Sequence, residues 1–280
     1  MSGSAVNLPH PCASLRGQHV LITGGSSGIG LALARHAALA GARVSLLARD
    51  PAKLARAKDH LREIVQSAHV GAFPADVASA AELSSAIAAA EAELGPVDVL
   101  ITSAGVACAD YFAAIPADAF ERTMAVNYLG TVHAVRAVAA GMRQRGRGAI
   151  VLISSGAAFH GFFGYTAYAP TKFALRGFAE ALRAELCDSG VHTMIVYPPD
   201  TDTPQLTEEN RTKPAETRAV TAGGGLWSAD AVARVTLAGL RRRRFAITPG
   251  IGVTALAWLH SIAAPLLRWH FDRVARNARH

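Results

Sequence analysis

Residues 18–23 of this 280-residue chain read QHVLIT, residues 24–30 read GGSSGIG, and an Ala/Leu-rich run follows over 31–40. A short apolar run, a glycine loop and a helix-forming run in immediate succession predict strand, turn and helix. Small residues let the backbone come close to a pyrophosphate. The helix start offers free N–H groups and the positive end of its dipole. Taken alone the loop reads as a glycine turn. Its flanks make it a nucleotide-binding element, with Thr23, Gly24, Ser26, Ser27, Gly28, Ile29 and Gly30 as candidate contacts.

The alternation continues down the chain. Further strands are predicted over 42–48, 69–74, 97–102, 148–154 and 191–197, and helices over 80–94, 117–142 and 165–188. Repeated β–α units predict one parallel, doubly wound sheet of Rossmann type with helices on both faces. The length suits a single large α/β domain, placed over 17–248, with a lead-in over 1–16 and a tail over 249–280. No internal repeat or domain-splitting linker interrupts it.

An acidic residue ending the second strand would bind the ribose hydroxyls of NAD. Here the strand ends in Arg49, with Lys53 one turn into the next helix. Positive charge there suits a 2′-phosphate and predicts NADPH/NADP as the cofactor. The plainer reading is a solvated helix-start charge pair with Asp50. Asp76, followed by Val77, also has two readings: an acceptor for the adenine amino group, or the N-cap of the helix over 80–94. Asn127 falls inside the predicted helix over 117–142, where its weak propensity marks it as solvent-facing or specific in role.

The chemistry concentrates in residues 154–172, SSGAAFHGFFGYTAYAPTK. Tyr168 and Lys172 stand four apart, on one face of a helix, and Ser155 ends the fifth strand thirteen residues before Tyr168. A phenol is a poor acid at neutral pH, and a nearby cation lowers its pKa. So tuned, it gives a proton to a carbonyl oxygen and takes it back. Tyr-x-x-x-Lys alone is common on solvated helix faces; the serine and the glycine loop turn the reading toward catalysis.

Composition narrows the class. Hydrophobic residues make up 51% and aromatics 6%, which describes a globular chain. The cysteines, Cys12, Cys108 and Cys187, match no metal spacing or disulfide framework, so a reducing compartment is expected. No metal site is expected: His260 has no partner ligand at suitable spacing. No secretory signal is expected either. The formal charge of +7 equals the excess of eight Arg over Asp272 within residues 241–280; the first 240 residues are neutral. That distribution argues against a nucleic-acid face on the domain.

With the glycine loop, Asn127, Ser155, Tyr168 and Lys172 in order, residues 17–248 resemble the short-chain dehydrogenase/reductases. The family's Thr-Gly-x-x-x-Gly-x-Gly falls on Thr23, Gly24, Gly28 and Gly30, and its catalytic set on Asn127, Ser155, Tyr168 and Lys172. The resemblance implies that Ser155 polarises a carbonyl, Tyr168 protonates it, Lys172 binds the nicotinamide ribose, and Asn127 holds a water that relays protons. It also implies cofactor contacts at Ala104 and Gly105. Ser103 departs from the family's usual Asn, which mainly stabilises the central sheet.

Tyr197–Pro204, YPPDTDTP, and Glu208–Arg218, EENRTKPAETR, resemble one branch of that family, which reduces 3-ketosphinganine, a long-chain 3-keto sphingoid base. This segment, within a lid over 198–226, varies widely elsewhere in the family. Other lipophilic ketones (a steroid or a 3-ketoacyl chain) and a non-catalytic NADPH-binding scaffold are the competing functions. In the lid, paired prolines including Pro198 fix the backbone beside the nicotinamide site, and Thr201 and Thr203 are candidate contacts to cofactor amide or phosphate. Glu208, Glu209, Arg211 and Lys213 are candidates for the substrate's polar head, with Glu208 and Glu209 suited to its amine, or else surface-loop charges.

The tail combines an apolar run over 251–267 with flanking arginines: Arg241–Arg244, Arg268, Arg273, Arg276 and Arg279. Seventeen residues interrupted by Pro265 are too few for a comfortable span. Leu259, Ile262, Leu266 and Trp269 at helical spacing predict an amphipathic helix on an anionic membrane surface, at the cytoplasmic face. The alternative is subunit packing in a homo-oligomer, since the family often pairs through C-terminal elements.

Overall fold

A computed structural model describes residues 14–278. Most of the lead-in, including Cys12, and Arg279 lie outside the described residues. The main sheet has seven parallel strands in the order β3-β2-β1-β4-β5-β6-β9. They are β1 His19–Thr23, β2 Arg43–Ala48, β3 Val70–Pro74, β4 Val99–Thr102, β5 Gly148–Ile153, β6 Val191–Val196 and β9 Ala246–Ile247. The helices between them are α1 Gly28–Leu39, α2 Pro51–Ile64, α3 Ala80–Leu94, α4 Ala117–Met124, α5 Gly130–Gln144, α6 Ala169–Glu185 and α9 Ala229–Arg241.

Strand runs such as VLIT in β4 are apolar at every position because both faces of a parallel sheet are covered. Alternate residues feed two cores. Val20, Ile22, Val44, Val99 and Ile101 meet Leu33 of α1, Leu54 of α2 and Leu237 of α9. Leu21, Leu100, Ile150 and Ile195 meet Ile87 of α3, Val138 of α5 and Ala179 of α6 on the opposite face. The sheet is therefore doubly wound, as its sequence predicts. Its order reverses between β1 and β4, and in such sheets a crevice opens at the strands' C-terminal edge there.

Several elements depart from the sequence reading. The helix expected over 117–142 is interrupted by a π-turn at Ala125–Leu129, which contains Asn127. The helix expected from residue 165 begins at Ala169, with Pro170 in its first turn, the one place a helix loses nothing from proline's missing N–H. Ser79, not Asp76, caps α3 by accepting from the Glu82 N–H. Asp76 instead closes a local turn onto the Ala78 N–H at 2.9 Å.

Beyond β6 the lid holds β7 Thr201–Asp202, α7 Pro204–Glu209, α8 Ala215–Thr221 and β8 Trp227–Ser228; β7 and β8 pair in a separate sheet. The tail is two helices, α10 Ile251–Leu259 and α11 Ala264–Asn277, where one amphipathic helix was expected. Residues 260–263 break it, and Pro265 stands in the first turn of α11, where its missing N–H costs nothing. His260 sits in the break, where Arg176 of α6 donates to its Nε2 at 2.9 Å and its Nδ1 donates to Ala257 O at 2.9 Å. No helix among the described residues is long and apolar enough to cross a membrane.

Candidate active site

A cavity of about 520 Å³ lies at the C-terminal edge of the sheet. The turns after β1, β4, β5 and β6 supply its floor through Gly24 and Gly28, Ala104 and Gly105, Ser155, and Pro198. Tyr168 and Lys172 line it from the start of α6. The lid contributes Thr201, Thr203 and Glu209, and the tail contributes Val253, Leu256, Leu267 and Phe271.

The glycine loop serves the cavity in two ways. A Cβ on Gly30 would lie 2.2 Å from the Gly24 carbonyl oxygen, so only glycine lets α1 start so close to the turn. Gly24 itself adopts φ +69°, in the left-handed region. Gly30 therefore packs the loop and does not face the cavity. Ser27, the α1 N-cap residue, makes no side-chain capping bond, and no acid occupies the first turn. The first-turn N–H groups are left without a side-chain acceptor, as a phosphate requires. Ile29 lines the cavity beside them, while Ser26 and the buried Thr23 lie off its wall. Thr23 Oγ1 accepts from the Ala104 N–H at 3.3 Å, tying the β1 and β4 turns together.

Arg49, Lys53, Asp76 and Val77 stand outside the enclosed cavity, at the ends of β2 and β3. Arg49 and Lys53 are exposed. Asp50 caps α2 by accepting from the Ala52 and Lys53 N–H groups at 2.9 and 3.0 Å, and the Lys53 charge also acts on its carboxylate.

Lys172 Nζ lies 5.3 Å from the centre of the Tyr168 ring and donates to Ile153 O at 3.4 Å. Burial pushes the Lys172 pKa down to about 8. Burial also pushes the Tyr168 phenol up, reinforced by the charge of Glu209 and opposed by a hydrogen bond with Ser155. The sequence expectation was a lowered phenol pKa; the phenol instead stands above its usual value, because taking the phenolate out of water dominates. Ser155 Oγ accepts from the Ala157 N–H at 3.2 Å, which fixes the hydroxyl at the strand end.

Asn127 is buried behind this group. Its Nδ2 donates to Val106 O at 2.9 Å and to Thr171 Oγ1 at 3.0 Å, and its Oδ1 accepts from the Val106 N–H at 2.8 Å. It clamps the β4 turn to the first turn of α6. The hydroxyls of Thr201 and Thr203 are likewise engaged locally, on Pro199 O at 2.9 Å and Thr201 O at 3.1 Å, and Thr203 caps α7.

Sequence reasoning named Glu209 and Lys213 but missed their burial and their partners Asp200 and Tyr165. Lys213 Nζ is 3.1 Å from Asp200 Oδ2 and 3.1 Å from Glu209 Oε1, and the Tyr165 hydroxyl donates to Glu209 Oε1. A Glu–Lys pair four apart ordinarily marks a solvated face, so its spacing gave no signal. Glu208 and Arg211 do form an exposed pair, at 2.9 Å. Among the described residues no group of three or more His, Cys, Asp or Glu converges as a metal site.

Residues 18–214 match the family model described as short chain dehydrogenase. The chain is 43% identical to 3-dehydrosphinganine reductase of Danio rerio over 80% of its own length and 68% of that protein. It is 44% identical to 3-ketodihydrosphingosine reductase of Bos taurus over 76% of its length and 64% of that protein. It thus spans about two thirds of these relatives. A crystal structure of a short-chain dehydrogenase/reductase from Burkholderia phymatum in complex with NAD superposes with a TM-score of 0.80 at 26% identity, over 90% of this chain and 96% of that one. With the glycine loop and uncapped α1 in place, the cavity floor fits a nicotinamide dinucleotide. The chain belongs to the short-chain dehydrogenase family.

Proposed function

We propose that this chain reduces the 3-keto group of 3-ketosphinganine to give sphinganine, with NADPH as the reductant, at the cytoplasmic face of a membrane. One observation carries the reading. The Ser155–Tyr168–Lys172 group and the apolar side chains of the tail line a single cavity. A reacting carbonyl and a long alkyl chain thus find suitable surroundings in one enclosure. The names of the Danio rerio and Bos taurus relatives support the same substrate.

When bound, the reduced nicotinamide supplies the hydride. The chain's own residues supply the proton and the positioning. The Ser155 hydroxyl donates to the ketone oxygen and polarises it. The Tyr168 hydroxyl gives that oxygen its proton as the carbonyl carbon becomes tetrahedral, so the product is an alcohol. Lys172, charged below about pH 8, stabilises the phenolate that this leaves. Asn127 acts through the backbone it clamps and keeps the β4 turn and α6 in register.

The Lys172 pKa sets a pH limit. Because burial lowers it, the charged form is lost as pH rises through about 8. In the reducing direction kcat/KM should hold below that pH and fall above it by about tenfold per unit. A profile flat to about pH 10 would remove Lys172 from the proton step.

Arg49 and Lys53 read the 2′-phosphate in this proposal. Arg49→Ala should raise the KM for NADPH by about tenfold or more, the scale of one charge-assisted contact, and leave the KM for NADH within about twofold. Equal changes with both cofactors would show that Arg49 does not read the phosphate. The function itself is tested by NADPH oxidation with 3-ketosphinganine in detergent, with the product identified by mass spectrometry. Sphinganine formation is expected. NADPH binding with no oxidation would move the substrate to another lipophilic ketone or the chain to a sensor role.

A further inference from the structure

One part of the cavity wall is acidic. Glu209, 9% exposed, and Asp200 both line it. Their shared counter-ion is Lys213, itself buried, at 3.1 Å from each and 5.5 Å from the centre of the Tyr165 ring. Two carboxylates and one ammonium leave one negative charge over. One oxygen of each acid, Glu209 Oε2 and Asp200 Oδ1, has no hydrogen-bond partner among the described residues. Both acids line the cavity, and neither oxygen is among the fully buried unpaired atoms, so each stays open to a cation or donor that enters.

The surplus charge is close to the chemistry. The Tyr165 ring, whose hydroxyl donates to Glu209, stands 5.3 Å from the Tyr168 ring. Both Glu209 and Asp200 act on Tyr168 electrostatically, whereas burial alone accounts for the shift in Lys172. Among the described residues the ion-pair partner of both acids is Lys213, not Lys172. Asp200 is about one-third exposed and also borders a shallower pocket behind the lid, so Glu209 is the principal group.

We infer that Glu209, positioned by Tyr165 and Lys213 and assisted by Asp200, receives the ammonium of a 2-amino ketone, and so selects such substrates over neutral ketones of the same length. This rests on the reductase reading above and adds a residue that decides which ketone is taken. Ser155, Tyr168, Glu209 and Asp200 line one cavity, and Tyr165 links Tyr168 to Glu209, so an amine on the carbon next to the carbonyl is the substrate cation placed to meet the acidic wall. A steroid or a simple 3-ketoacyl chain offers no cation and would leave Glu209 Oε2 unpaired.

The test compares two ketones of equal length. One is 3-ketosphinganine; the other carries a methyl group in place of the amine. Wild-type protein should favour the amine in kcat/KM by about 10- to 100-fold, the scale of one sheltered charge-assisted hydrogen bond, chiefly through KM. Glu209→Gln should bring that ratio to about one. A wild-type protein that reduces both ketones equally would overturn the inference and leave the reductase reading standing. So would a folded Glu209→Gln that keeps the wild-type ratio. Should Glu209→Gln fail to fold, the wild-type ratio and that of Asp200→Asn, which should narrow it in part, decide the matter. Failure to oxidise NADPH with either ketone would overturn the 3-ketosphinganine reading and this inference together.

Discussion

Tyr168→Phe is expected to cut reduction by about 10²- to 10⁴-fold, the range of a lost general acid, with NADPH affinity within about twofold of wild type. The substitution removes one oxygen and keeps the ring. The contact with Tyr165 at 5.3 Å and the position of Lys172 over the ring at 5.3 Å both survive it. Burial holds the phenol protonated through the neutral range, and a reductase needs the protonated form. Nothing beside it takes over the task. The Tyr165 hydroxyl is committed to Glu209, and burial together with that carboxylate pushes its pKa up. The Ser155 hydroxyl can polarise the ketone, but an aliphatic alcohol is a much weaker acid than a phenol. Single-turnover rates and a calorimetric titration with NADPH separate the two effects. A variant with a tenth of wild-type turnover would place the proton donor elsewhere.

The same residues show how far the sequence could be read. The strand–loop–helix start, the five strands that follow and the limits of α3 all come from apolar runs and breaks, which are local signals. The convergence of Ser155, Tyr168 and Lys172 was legible because a strand end and one helical turn fix it. What escaped depends on burial, which spacing does not report. Glu209 and Lys213 have the spacing of a surface pair and are interior because the lid folds over them. The Tyr168 shift took the opposite direction for the same reason. Asn127 fits a continuous helix in sequence, and only the fold shows the π-turn around it and its bonds to Val106 and Thr171. The two residues of β9 are too few for any periodicity.

The tail carries the second large effect, because it is apolar on two sides. Val253, Leu256, Leu267 and Phe271 wall the cavity, and Phe271 packs on Phe162 at 5.2 Å. The other side leaves Ile251, Trp258, Ile262, Leu266 and Trp269 in solvent; Ile262 is 87% exposed and Trp258 80%. Arg268, Arg273 and Arg276 are exposed along the same α11. An apolar face bordered by arginines suits the surface of an anionic bilayer, and a lipid substrate drawn from that bilayer would meet the inner side of the same helices. Burying one such side chain is worth roughly 1.5 kcal/mol at the low end. The triple variant Trp258→Ser, Ile262→Ser, Leu266→Ser should therefore weaken binding to anionic vesicles by roughly a thousandfold. Turnover of detergent-dispersed substrate should change little, since Trp258, Ile262 and Leu266 do not line the cavity. Co-sedimentation with vesicles reads the first effect and NADPH oxidation the second. Undiminished vesicle binding would place the membrane contact on another surface. Loss of self-association in the variant, with no change in vesicle binding, would assign this face to a second copy of the chain.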